Sequence, residues 1–501
     1  MTQPANEVTG HAVAQYLDKP QWDITREDLV RYAKRNDVQF VQFRHVGGDG
    51  RLKTLSFVIE NERQLDRLLA EGERVDGSSL LPYVDTASSD LYVVPRYRTA
   101  FPNPFTPYPT LDILCTYYTG SGERLAVSPE NVLLKSQQVL KEKTGLTLDA
   151  LGELEYYVVF PERHLYPLNP QRGYHESSPF SRGEYLRNEV MKMLARAGVR
   201  VKYGHSEVGS ICENGQVMEQ HEIELALAPI EEAADHLAIA MWMLRMVGCR
   251  EGVAVTFAPK ILPGHAGSGM HVHTRLMRDG KNVMTTQGEL SETARKAIAG
   301  YLTLAPSLTA FGNTIPTSYM RLVPHQEAPT HVCWGDRNRS ALIRVPLGWQ
   351  RIGDMARDAN PQQLNGAMPE GDSQTVEIRS PDGSAQAYLL LAGLAVAARH
   401  GLEMEDALEV AKRQYVGGNI FHEDQKEVRE RLPHLPASCV QSAATLLEQR
   451  AWYEADGVFP AAVIETTAAR LAAYEDDGLV QRVIGNYEEM ARLIQKYLYC
   501  P

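Results

Sequence analysis

The sequence predicts an α+β protein in which a small mixed unit precedes a larger one that ends in helices. Three observations predict it. Strand and helix patterns interleave over the first hundred residues. Five prolines from Pro95 to Pro109 mark a crossover, after which strands and helices alternate to about residue 400. Residues 401–501 carry mostly helical patterns rich in Ala, Leu, Glu and Arg. At roughly 100–200 residues per domain, 501 residues allow two to four domains.

The elements follow in order. Residues 1–22 read as a loose polar lead. Thr25, with Asp28 three positions on, makes a capping-box-like start for a helix to about Asn36. Val38–Arg44 alternates, Gly47-Gly48-Asp49-Gly50 turns, and Leu52–Ile59 returns, so this segment is strand, turn, strand. Glu62–Glu71 places Leu65, Leu68 and Leu69 on one helical face, and Gly72 ends it. Asp90–Val94 and Leu111–Tyr118 are further strands. Ser128-Pro129-Glu130 opens a helix with Ser as N-cap and Pro in the first turn, and Gly145 closes it. The sequence carries neither an internal repeat nor a low-complexity tract.

Composition narrows the partners. Lys and Arg total 51 against 63 Asp and Glu, a net charge of −12, which argues against a nucleic-acid or anionic-membrane surface. Local phosphate binding needs only a few Arg and stays open. The six cysteines are dispersed with no C-x-x-C pair, so neither a disulfide framework nor a zinc site is expected. The start MTQPANEVTG has neither a basic nor an apolar leader pattern. The longest apolar run, Tyr388–Ala398, falls short of the roughly 20 residues that span a bilayer. A reducing cytoplasm fits these features.

Four segments set acidic or imidazole groups two residues apart: Gly152-Glu153-Leu154-Glu155, His221-Glu222-Ile223-Glu224, Met270-His271-Val272-His273 and Val376-Glu377-Ile378-Arg379. In a strand, residues i and i+2 share a face. Apolar neighbours make these strands half buried, and carboxylates there are costly unless paired or metal-bound. Any one pair alone reads equally as a solvated face; four in one chain favour a shared site. Asn214-Gly215 is a strong hairpin signal. If they are its two loop residues, Glu213 faces Gln216 and Glu207 faces Glu222, two carboxylates close enough to need a bridging cation. A register slip or a solvated pair is the alternative. Oxygen-rich ligands with one or two imidazoles suit Mg²⁺ or Mn²⁺.

A basic cluster follows: Arg321, Arg337, Arg339 and Arg344. Arg grips carboxylate or phosphate with a planar fork, although a surface salt-bridge patch would look the same. Glu327 lies between them in a proline-flanked loop. Gly264-His265-Ala266-Gly267-Ser268-Gly269 permits close backbone approach to a ligand but lacks the Lys-Ser/Thr ending of a P-loop.

With these segments in order, the chain resembles the glutamine synthetase family. Val75-Asp76-Gly77-Ser78-Ser79, with Ser89-Asp90 downstream, resembles the family's F-D-G-S-S loop. Gly152–Glu155 resembles its G-x-E-x-E strand, and Gly173-Tyr174 its G-Y element. His205-Ser206-Glu207 and Gln220-His221-Glu222 resemble its H-H-E and G-Q-x-E segments. Ala258-Pro259-Lys260 through Gly267–His273 resembles its ATP-region signature. Ser318–Pro329, Arg337–Pro346 and Glu377–Asp382 complete a likeness over roughly residues 36–400.

The resemblance implies an N-terminal β-grasp domain (1–125) and a catalytic α/β domain with an antiparallel sheet (126–501), its last hundred residues mainly helical. It implies ATP-dependent ligation of ammonia to the γ-carboxylate of L-glutamate through γ-glutamyl phosphate. It implies about two or more Mg²⁺ or Mn²⁺ ions per site, one held by Glu155, Glu207 and Glu222, another by Glu153, His271 and Glu377 on the nucleotide side. His273, Lys260 and Arg344 would face the nucleotide. Arg321, Arg379, Gly267, Tyr174 and Ser79 would contact substrates. Arg339 and Arg344 would offset phosphoryl charge, Asp76 would take a proton from ammonium, and Glu327 would close the site as a flap. Active sites would lie between subunits of a homo-oligomeric ring of about twelve chains, each Asp76 loop supplied by a neighbour.

The chain also departs from the family pattern. Ala266 stands where Asn is common, Arg275 where Ser is common, and Ser384-Ala385-Gln386-Ala387-Tyr388 replaces an A-N-P-Y segment. The stretch from Glu207 to Glu222 is longer than in the best-known members. Asn419-Ile420-Phe421-His422 is the nearest counterpart of the N-L-Y-D segment whose Tyr is adenylylated in some members, so that control is not expected. Two other readings follow: a γ-glutamyl-amine ligase using a polyamine or alkylamine, consistent with Ala266 and the long hairpin, and a non-catalytic homologue, which should have lost ligand or base residues.

Overall fold

The computed structural model describes residues 10–161, 166, 169–213, 215–323, 329–348, 355–362, 373–483 and 485–500. The expected α+β class holds.

The segment read as a loose lead is partly ordered: α1 (Ala12–Leu17) buries Val13 and Ala14 against the first core. His11 makes this possible, because its Nδ1 accepts the Ala14 N–H at 3.0 Å and caps the helix. Burial lowers the His11 imidazole from 6.5 to about 4. A folded-state pKa below the unfolded one means that the contribution is intact above pH 6.5 and is lost as the pH falls toward 4. By about pH 5 the loss amounts to about 2 kcal/mol. Urea unfolding of wild type and His11→Asn at about pH 7.5 and about pH 5 checks this. Wild type should lose more stability on acidification than the variant, which keeps a capping acceptor without a titrating group. Equal losses would sink the assignment.

Helix α2 (Arg26–Arg35) has the expected capping box between Thr25 and Asp28. Strands β1 (Phe40–Val46) and β2 (Leu52–Val58) form the expected hairpin, and α3 (Glu62–Glu71) stops at Gly72. Strand β3 (Glu73–Asp76) was not expected, because its charged, mostly exposed residues carry no apolar alternation. Strands β4 (Asp90–Pro95), β5 (Phe101–Pro102) and β6 (Thr110–Thr119) complete a six-stranded sheet in the order β2-β1-β6-β4-β3, with β5 on β6. Only the β1–β6 pair is parallel.

Helix α4 (Pro129–Thr144) ends at Gly145 in the left-handed region, as expected. Ser128 does not cap it: its hydroxyl donates to Leu125 O and to the Glu130 carboxylate instead. Then come β7 (Thr147–Pro161), α5 (Glu184–Arg196), β8 (Val201–Glu213), β9 (Gln216–Leu225), α6 (Ile230–Glu251), β10 (Met270–Arg278), α7 (Glu292–Gly312), β11 (Trp334–Asp336), β12 (Ile343–Val345), β13 (Val376–Ile378) and α8 (Ala387–Glu403). The strands form the path β11-β12-β13-β10-β7-β9-β8 of a sheet with ten strands among the described residues, antiparallel except at β11–β12. The apolar run 388–398 is the buried middle of α8, packed on α7 and α4. Among the described residues, no helix is long and apolar enough to cross a membrane.

The two units share one interior. Val46, Phe101 and Leu114 of the first unit belong to the same core as α6, α7 and α8. Arg96 forms a bidentate pair with Asp235 of α6 at 2.7 and 2.8 Å, and Tyr388 of α8 donates to the same carboxylate. Burial pushes Asp235 up, but Arg96 and Tyr388 together hold it below the ordinary range. Removing one partner of such a pair costs about 3–5 kcal/mol.

Candidate active site

Alternation along β7 builds the floor of the site. Leu148, Ala150, Leu154, Tyr156 and Val158 enter the core, while Leu151, Glu153 and Glu155 line a cavity of about 600 Å³. Neighbouring strands put like chemistry on that face through their register. His271 and Glu224 flank Glu153, Glu222 flanks Glu155, and Glu377 flanks His273. The four segments with i, i+2 spacing therefore converge on one surface.

Glu153, His273 and Glu377 form one cluster, with ligand atoms all within 4.8 Å of one another. His273 Nε2 lies 3.0 Å from Glu153 Oε1 and 3.9 Å from Glu377 Oε2. His271, expected beside Glu153 and Glu377, presents Nδ1 at 3.0 and 3.7 Å from their oxygens. So His273, expected at the nucleotide, stands with the carboxylates. Burial alone would raise Glu153, yet His273 and His271 hold it well below the ordinary range. Burial likewise opposes Glu377, which His273, Arg379 and His271 keep low. Arg344 NH1 donates to Glu377 Oε2 at 2.8 Å, and Arg379 Nε sits 3.0 Å from Oε1.

The second cluster is His205, Glu207 and Glu222. Here the hairpin corrects the expected register. Glu213 pairs with Gln216 and Ser210 with Glu219, as expected. A bulge at Glu207–Gly209 then shifts the strand, so His205, not Glu207, faces Glu222. Gly209 allows the bulge, since a Cβ there would lie 1.9 Å from the Tyr157 hydroxyl. Glu207 still reaches the cluster, 3.6 Å from His205 Nδ1, while His205 Nε2 lies 3.2 Å from Glu222. Burial raises the Glu222 carboxyl, and the nearby charges of Glu153, Glu155 and Glu207 add to that. Glu155, expected as a third ligand, faces Glu222 across the sheet but spends Oε2 on the Gly269 N–H and Gln220. Buried carboxylates crowded together, with imidazoles between, form a donor set that fits hard divalent cations.

Arginines cover the opposite side. Arg321, Arg339, Arg344 and Arg379 line the cavity; Arg337 lines a neighbouring one. Arg321 is buried and donates to the carbonyls of Ser380 and Arg379, with His271 at 3.3 Å. Gly269 makes room for it, because a Cβ there would lie 2.4 Å from its NH2. Arg339 hydrogen-bonds Tyr174. Gly267 lines the cavity, and its carbonyl accepts from Gln220. Lys260, expected at the nucleotide, does not line this cavity. Its ammonium donates to the His265 carbonyl, and burial lowers it to about 8. Arg275 donates through Nε and NH2 to one oxygen of Asp149, Oδ2.

Asp76, the last residue of β3, and Ser79, in the turn that follows, are exposed and do not line the cavity. Hydroxyls of Ser79, Ser78 and Ser89 lower Asp76 to about 2. Glu327 lies outside the described residues. Lys202 and Tyr203 line the cavity without having been named from the sequence, and Glu224, named there among the paired acidic positions, had been given no role. Glu224 had a signal, sharing a face with Glu222. Lys202 had none, because a bulge aims it.

Comparison with known proteins adds the following. Residues 37–120 match the family model described as glutamine synthetase, beta-Grasp domain, and residues 125–475 match glutamine synthetase, catalytic domain. A glutamine synthetase of Frankia alni is 31% identical over 412 residues, 75% of this chain and 81% of that protein. One of Aquifex aeolicus is 28% identical over 455 residues, 85% of this chain and 90% of that protein. The solved Plasmodium falciparum glutamine synthetase matches with a TM-score of 0.73 at 19% identity, covering 91% of this chain and 96% of that one. A ligand-free GmaS structure matches with 0.69 at 21% identity, covering 89% and 96%. At those identities the two structures establish the fold.

Proposed function

The chain belongs to the glutamine synthetase family, and from that membership we propose that it ligates ammonia to the γ-carboxylate of L-glutamate with ATP, yielding glutamine, ADP and phosphate. The observation that carries this reading is the single cavity with two Glu/His clusters on its floor and four arginines around it. Two anions, a carboxylate and a triphosphate, must meet despite their repulsion, and a site with this charge pattern brings them together.

A γ-carboxylate oxygen of glutamate attacks the γ-phosphorus, forming γ-glutamyl phosphate as the bond to ADP breaks. Arg339, Arg344 and Arg379 steady the transferring group. Mg²⁺ or Mn²⁺ held by Glu153, His271, His273 and Glu377, and by Glu155, His205, Glu207 and Glu222, would supply charge neutralisation there. Asp76 of a neighbouring subunit takes a proton from ammonium, since Asp76 and Ser79 lie outside this chain's own cavity. The freed ammonia attacks the acyl carbon, and the C–O electron pair leaves with phosphate. Glu327 shields the acyl phosphate from water and takes a further proton.

One observation favours a second reading, an alkylamine acceptor. Tyr174 stacks on His175 with ring centroids 4.3 Å apart, and His205 lies within 5.4 Å of Tyr174 and 5.9 Å of Tyr203. Aromatic walls suit substituted ammonium ions. Measuring kcat/KM for ammonium against methylamine, ethylamine and putrescine, with glutamate and ATP, separates the two. Ammonium should be preferred by about tenfold or more, because an alkyl group leaves acceptors unpaired. A preference for any alkylamine overturns the ammonia reading.

A further inference from the structure

We propose that Lys202 is a phosphate contact for the nucleotide and that Glu224 is the positioning residue that aims it. This deepens the ligase reading and rests on ATP being its substrate.

The argument starts from the strand. Between the pairs Val201–Leu225 and Tyr203–Glu224, β8 has one residue more than β9, and that residue is Lys202. A bulge re-aims a side chain, so Lys202 and Tyr203 both line the cavity where alternation would have separated them. Lys202 Nζ lies 2.6 Å from Glu224 Oε1; the lysine side chain is 50% exposed and the glutamate 2%. Tyr203 hydrogen-bonds the same carboxylate. The other carboxylate oxygen, Oε2, is buried with no hydrogen-bond partner. A buried carboxylate held in this way places the ammonium without satisfying all of its donors.

The direction follows from the sheet. Glu224 is the cross-strand partner of Glu153, with Cβ atoms about 5 Å apart, and it holds the Lys202 ammonium on that flank of the Glu153–His273–Glu377 cluster. Arg344 and Arg379 approach that cluster from the far side, each with one nitrogen on Glu377. Lys202 thus puts a cation on the near side. An anion chelated at the cluster would meet it, and the polyphosphate of ATP has that chemistry. Leu151 and Leu227 also line the cavity and offer the apolar surface that a nucleoside needs.

Equilibrium binding of MgADP and of adenosine, by calorimetry on the full chain, tests this. Lys202→Met should weaken MgADP about tenfold or more and leave adenosine within about twofold; Lys202→Arg should restore most of the loss. Glu224→Gln should weaken MgADP severalfold in the wild-type background and cause no further loss beside Lys202→Met, because it acts through the lysine. An unchanged MgADP affinity in Lys202→Met, or equal losses for both ligands, overturns the assignment while leaving the ligase reading in place. A wild-type chain that binds neither ligand overturns both.

Discussion

Glu222→Ala should reduce amide-forming turnover by about two to three powers of ten without unfolding the protein. Glu222 is buried beside Glu153, Glu155 and Glu207, whose charges raise its carboxyl. Such crowding destabilises the metal-free protein, so removing one carboxylate relieves repulsion while deleting a donor. Stability and function should move in opposite directions, unlike the outcome for an ordinary buried salt bridge. Thermal unfolding with and without Mg²⁺ or Mn²⁺ reads this directly. Wild type should gain a metal-dependent shift in Tm, and Glu222→Ala should lose most of it while matching or exceeding the metal-free Tm. Glu207→Ala should behave in the same way although its neighbour is His205. A retained metal shift with turnover within tenfold of wild type would exclude the carboxylate as a ligand.

Asp76→Asn should cut amide formation by about two to four powers of ten, the usual worth of a positioned general base. MgADP binding should be unchanged, since the role proposed for Asp76 is toward ammonium and not the nucleotide. Three serine hydroxyls keep it at about 2, so it stays ionised across the working pH range. If its loop completes a neighbour's site, Asp76→Asn and Glu222→Ala chains complement one another. Inactive alone, a mixed ring should recover about a quarter of wild-type activity, because random assembly places both intact residues at that share of interfaces. Sedimentation of the co-purified rings confirms the mixing. No recovery in such rings, or an active monomer, would refute the shared site.

Local chemistry was legible where it acts over a few residues. The Thr25–Asp28 capping box and the i, i+2 acidic strands appear as read. The hairpin register held as far as Ser210–Glu219. It failed where β8 gains residues that no local rule announces. Thirteen residues of β8 run beside ten of β9, three extra, one at Lys202 and two within Glu207–Gly209. Numbering from the turn therefore paired Glu207 with Glu222, where His205 stands. Strand β3 escaped because its residues are exposed and charged, and α1 because a histidine outside the usual N-cap set starts it. The Arg96–Asp235 pair, 139 residues apart, was invisible for a different reason: it is a property of packing, and neither residue differs in sequence from a surface charge.

That pair, and the core residues on both sides of it, bear on how this architecture can be recombined. Trp242 of α6 packs against Phe101 and Phe105 and under the Arg44 guanidinium, all from the first unit. The point in the chain where one unit gives way to the next is therefore not a seam in the molecule. A chimera that grafts another β-grasp unit onto this catalytic unit inherits an uncompensated Asp235 and a bare indole face unless the donor brings an arginine and aromatic rings to the same places. Compatibility between halves is decided at this hidden contact, well away from the clusters that do the chemistry.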